Sequence, residues 1–205
     1  EHAGEVVSAA VEVLEDPRFD VPIAAQHERL DFLITVGRRM EIATEAVNRL
    51  RYAKRAVDRV VEQIQANRGA RDETAQALAS AGGDLKETLT DVEVLFTGDV
   101  MNFYLDGGPQ RIQGLESWPN YVLPQLMNLT EYGSLNTYTA SREAPTEAER
   151  LYLQAAEEAL KQALERTNQV FAEAVARFRE QVAAGLKAKY FPMKEPLSID
   201  WSQPR

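Results

Sequence analysis

The sequence predicts an all-α protein: an up-and-down antiparallel helical bundle with two very long helices, a broken second helix and a shorter third. Three observations predict it. Apolar residues recur at steps of three and four along residues 22–67, and a second stripe of the same kind fills 146–188. Between them Leu78, Leu85 and Val92 repeat every seven residues, as do Gly82, Leu89 and Phe96. Such spacing gathers apolar side chains on one face of a helix, and only partner helices can bury stripes of that length.

The elements follow in chain order. Residues 5–14 are apolar and β-branched and end at Asp16-Pro17, so they read as an orphan N-terminal strand, the last of a preceding domain, with a short helix as the alternative. Asp20 and Pro22 suit a helix start. The stripe then runs Leu30, Leu33, Val36, Met40, Ala43, Val47, Leu50, Ala53, Val57, Val60 and Ile64, to an end at Asn67 and Gly69. That is a helix of roughly 65 Å at 1.5 Å per residue. A second helix spans Asp72 to Phe96. Gly82-Gly83 inside it costs roughly 2 kcal/mol against alanine, so a break is expected there, the alternative being close packing on a neighbour.

Residues 97–145 change character, with nine Gly or Pro positions interspersed with six of the sixteen aromatic residues. A third helix is expected from Ser117 to Tyr132, with Ser117 as N-cap and Pro119 in its first turn. Thr146-Glu147-Ala148-Glu149 is a capping box that opens the last helix. Its stripe runs Leu153, Ala156, Leu160, Ala163, Thr167, Val170, Phe171, Ala174, Phe178, Val182 and Leu186. The organisation is therefore 1–19 as an N-terminal segment, 20–190 as the bundle and 191–205 as an extended tail anchored by Met193, Leu197, Ile199 and Trp201.

Composition excludes several function classes. There is no cysteine, which removes disulfides, thiolate zinc sites and thiol nucleophiles. The net charge of −9, from 32 acidic and 23 basic residues, disfavours nucleic acid as a partner. Arg49, Arg51, Lys54, Arg55 and Arg59 alternate with apolar positions and read as a solvated helix flank. No apolar run reaches the roughly 20 residues of a membrane span. The N-terminus has no signal-peptide pattern, and a chain that begins at Glu1 reads as an excised or processed fragment.

The segment Leu14-Glu15-Asp16-Pro17-Arg18 leads into a long helix carrying Ala46-Val47-Asn48-Arg49-Leu50-Arg51. This resembles the C-terminal region of secreted bacterial sortilin-like, BNR-repeat propeller proteins of glycosyl-hydrolase-like type. In those chains a small β-sandwich ends in a similar strand and a helical bundle follows. The resemblance covers residues 6–67 and, beyond them, the architecture alone. It implies an end strand at 1–16, export to the periplasm or outside the cell, and any sugar-directed activity on an upstream propeller. It transfers no catalytic residue to the bundle.

Candidate chemistry is sparse. A di-iron or di-manganese bundle needs paired Glu-x-x-His motifs, and neither His2 nor His27 has a glutamate three residues before it. No metal or other cofactor is expected. Carboxylate pairs such as Asp91 with Glu93, Glu157 with Glu158 and Glu41 with Glu45 read as solvated helix faces with neighbouring cations. No G-x-S-x-G elbow or phosphate-binding glycine loop occurs. No catalytic residue is assigned. The aromatic residues Phe103, Tyr104, Trp118, Tyr121, Tyr132 and Tyr138 form the candidate binding or interface region, with a local core at the bundle's end as the plainer reading. The expected function is a non-catalytic structural or interaction module that contacts adjacent domains of its own chain or another protein. The rivals are a bundle that binds a sugar or small molecule through the aromatic region, and an accessory domain of a hydrolase.

Overall fold

The computed structural model describes residues 8–11, 21–69, 72–98, 121–130 and 143–186. They form an all-α bundle with no strand among the described residues. Helix α1 is Ile23–Arg68, α2 is Glu73–Thr97, α3 is Val122–Asn128 and α4 is Glu147–Val170. A π turn, Phe171–Val175, joins α4 to α5, Ala176–Leu186, so the last helix is continuous but not uniform.

Local chemistry sets the ends. Pro22, with ψ 138°, stands just outside α1, where its missing N–H costs nothing. Gly69 closes α1 at φ +85°, a conformation that side chains other than glycine resist. The Asp72 carboxylate accepts the Ala75 backbone N–H at 2.9 Å and caps α2. At the start of α4 the capping box is complete: Thr146 Oγ1 accepts the Glu149 N–H, and Glu149 Oε2 accepts the Thr146 N–H at 2.7 Å. Helix α3 is shorter than the sequence suggested. Tyr121, in extended conformation, is its N-cap, and the chain turns at Leu129-Thr130, so neither Ser117 nor Pro119 starts it.

Helix α2 is antiparallel to α1. Asp58 meets Lys86, while Arg51 meets Glu93, so numbers rise on one helix as they fall on the other. The two long helices, expected to be antiparallel, run parallel instead. Glu28 and Arg29 meet Arg150 and Glu149, and ten residues further along α1 Arg39 meets Glu157. The physical reason is topological: α2 and the passage through α3 bring the chain back to the end where α1 began, and the last helix ascends again. The α3 helix packs on α1, α2 and α4.

The core follows the predicted stripes from Val36 to Ile64 on α1 and from Ala156 to Val182 on the last helix, and Phe32, which lies outside the predicted stripe, joins it. Leu30 is an exception, at 55% exposure. Two successive three-residue steps place it about 120° from Val36 around the helix, and Arg29 and Phe32 take the inward positions. The π turn is a second departure. The buried positions step from Val170 to Val175, and the extra residue of the wide turn keeps both on the core side.

The expected break at Gly82-Gly83 does not occur, because α2 continues through it. Close packing is the reason at Gly82 alone: a Cβ there would lie 2.9 Å from Val61 Cγ2 and 3.1 Å from Val57 Cγ1. Gly83 faces open space. Alanine at Gly83 is therefore expected to raise stability by about 0.5–1 kcal/mol, the usual helix-interior gain. Alanine at Gly82 must displace stiff β-branched neighbours and is expected to lower it. Thermal melts of the two variants check the opposite signs.

The expected N-terminal strand is not found where it can be read: residues 8–11 carry no strand, and Val11 is exposed. The remainder of 5–14 and the tail 191–205 lie outside the described residues. Among the described residues no helix is long and apolar enough to cross a membrane.

Candidate functional site

Of the six aromatic residues that the sequence singles out, Tyr121 is described. It is half-buried, and its ring lies against Gly98, where a Cβ would sit 2.7 Å from Cδ2. Gly98 adopts φ +77°, so both the space and the backbone require glycine there. Tyr121 thus joins the end of α2 to the start of α3. Phe103, Tyr104, Trp118, Tyr132 and Tyr138 lie outside the described residues.

The densest chemistry lies on the seam between α1 and α2. Glu93 is buried, with only 8% of its surface exposed. Arg51 Nε donates to its Oε1 at 2.6 Å, and Lys54 Nζ lies 2.5 Å from its Oε2. Lys54 also donates to Thr90 Oγ1 at 3.3 Å. Burial alone would raise the Glu93 pKa, but the hydrogen bonds from Lys54 and Arg51 and their charges outweigh it and hold the carboxyl below its ordinary range. A carboxylate held ionised between two cations has no proton to give at neutral pH, so its role is electrostatic.

The second cluster ties the start of α1 to the start of α4. Arg29, itself buried, donates from Nη1 and Nη2 to the two oxygens of Glu149 at 2.7 and 3.2 Å, and from Nε to the Glu143 carbonyl. The Arg29 hydrogen bonds depress the Glu149 pKa most; burial opposes them, and the Thr146 backbone and hydroxyl add to the depression, leaving it at about 2. A carboxyl depressed from its unfolded value contributes stability that is complete above about pH 4.5 and is lost as the pH falls towards 2. Unfolding free energy between pH 5 and 2 should therefore fall less steeply in Glu149→Gln than in the wild type. Equal slopes would remove Glu149 from the account.

Sequence reasoning placed Glu93 on a solvated face and Arg51 and Lys54 on a solvated flank; the structure overturns this for Glu93. A signal was present: Lys54 falls at seam spacing between Leu50 and Val57, and Glu93 directly follows the seam residue Val92. The capping-box glutamate was recognised, but its partner Arg29 was not, because the contact spans 120 positions.

Two surface features complete the inventory. Ile23, Leu30 and Ile34 stand exposed on the outer face of α1, away from its core stripe. An open recess beside α4 is lined by Leu151, Gln154, Ala155, Glu157, Glu158 and Lys161, all from that one helix. Residues of a single helix face bound it on one side only, and they bring no set of facing carboxylates together. Among the described residues no group of three His, Cys, Asp or Glu is placed to hold a metal ion. Comparison with known protein families, curated proteins and solved structures finds no match to this chain.

Proposed function

We propose that the chain is a non-catalytic structural and interaction module, a stiff strut that braces adjacent domains of a larger exported protein. The observation that carries this reading is how its ionic groups are used. Glu28, Asp58, Glu93, Glu149 and Glu157 are each matched to a cation on another helix. Paired in this way they fix helix to helix along a rod whose first helix alone measures about 69 Å. Isolated surface pairs add little stability, but pairs spread along two interfaces constrain geometry. The resemblance of residues 6–67 to the C-terminal region of secreted BNR-repeat propeller proteins supports export and names the neighbour: an upstream propeller or β-sandwich domain.

The test is calorimetric. The upstream domain of the parent protein, expressed separately, is titrated into this chain. Saturable binding that raises the melting temperature of either partner is the expected result. Absence of binding, with both melting temperatures unchanged, would sink the bracing role. Saturable quenching of tryptophan fluorescence by a soluble sugar would favour the ligand-binding alternative in its place.

A further inference from the structure

The charges along the α1–α2 seam repeat with the same period as its apolar residues. On α1, Asp58 follows Arg51 by seven positions; on α2, Glu93 follows Lys86 by seven. The structure joins them crosswise, Arg51 and Lys54 to Glu93, and Asp58 to Lys86 at 2.5 Å. Apart from Gly82, which is close-packed on Val57 and Val61, the apolar seam has no comparable sense of position. Ala75, Leu78, Gly82, Leu85, Leu89, Val92 and Phe96 are all buried on α2 at alternating steps of three and four, and Leu50, Val57 and Ile64 recur every seven on α1. A slide of α2 by one heptad, about 10 Å, would therefore present much the same hydrophobic surface to α1.

The charges do not survive such a slide in either direction. In one, Lys86 takes the place of Glu93 and faces Arg51 and Lys54, three cations together, while Glu93 moves towards Val47. In the other, Glu93 comes beside Asp58, and Leu89 is carried towards Val57 and Val61, where only glycine now fits. We infer that Arg51, Lys54, Asp58, Lys86 and Glu93 form a register code that selects one of several near-equivalent alignments of α2 on α1. Like charges penalise the wrong alignments, and the opposite pairs favour the right one. The inference rests on the seam alone and is independent of the proposed bracing role.

The chain has no cysteine, so two spin labels can be placed without ambiguity. Glu41→Cys on α1 and Glu87→Cys on α2 are both exposed, and Glu87 lies one residue past the Lys86–Asp58 pair. One heptad of sliding changes their axial separation by about 10 Å. The labelled wild type should give a single distance by pulsed electron resonance. The labelled Lys86→Met/Glu93→Met variant removes the code and keeps the seam apolar, with Lys54 and Arg51 free to reach water along their stems. It should keep its helical content and show a second population displaced by about 10 Å. Inverting all five charges together (Arg51→Glu, Lys54→Glu, Asp58→Lys, Lys86→Glu, Glu93→Lys) should restore the single wild-type distance. A single unshifted distance in the double-methionine variant would overturn the inference, because the turn at 69–72 and Gly82 would then suffice. Loss of helical content in that variant would overturn it equally, because the charges would be holding α2 in place rather than choosing its alignment.

Discussion

Replacing Val47 with aspartate is expected to cost about 3–5 kcal/mol of stability, the range for an uncompensated charge in a protein interior. Val47 is 4% exposed and belongs to the continuous core that α1 shares with the other helices. The nearest fixed cations on α1 are committed: Arg51 and Lys54 to Glu93, and Arg49 to Glu45. An aspartate at 47 would therefore stay ionised without a partner or be forced to take up a proton. Asn48, one residue on, is exposed, and Asn48→Asp adds the same carboxylate where water can solvate it. Urea denaturation of the two variants should separate them by several kcal/mol, and equal midpoints would refute the stripe assignment.

The second large effect is expected at Phe96. It is fully buried in the last turn of α2, two residues before the glycine that receives the Tyr121 ring. Truncation to alanine removes a ring at the junction of α2 and α3, where neighbouring side chains are held by helix backbones and can close the gap only in part. The expected loss is about 3–5 kcal/mol. Leu95, its neighbour in sequence, is 39% exposed, and Leu95→Ala should stay within roughly 0.5 kcal/mol of the wild type. Comparable losses at both positions would mean that the α2 face is assigned wrongly.

Much of the fold was legible because local chemistry is strong where helices begin and end. Asp72, Thr146 with Glu149, and Gly69 act through contacts within a turn of their own position, which a sequence displays directly. The buried faces were legible for the same reason, since Val36, Leu50, Ile64, Leu160 and Val182 follow helical period. Orientation was not. Whether the last helix ascends or descends depends on how the segment between Thr97 and Thr146 returns, and periodicity carries no direction. Gly82 was ambiguous in the same way. Its cost inside a helix is visible in the sequence, but the compensation lies in Val57 and Val61, more than twenty positions away. The ion cluster was the least legible feature. A carboxylate beside a seam can point to water or to a cation on another helix, and only the packing of α2 on α1 decides that Glu93 does the second.

The π turn at Phe171–Val175 has a consequence for how this chain tolerates changes of length. In an ordinary helix the loss of one residue turns everything beyond it by about 100° and carries the apolar face out of the core. Here the wide turn already holds one residue more than a regular helix requires. Removing a single residue such as Ala172, which is exposed, would relax that turn to α-helical geometry and bring Val170 and Val175 to the four-residue spacing of a normal stripe. Phe178 and Val182 would keep their facing. Chains one residue apart in length at this point are thus compatible with the same core, and alignments of related sequences should show single-residue gaps here before they show them anywhere else in the last helix.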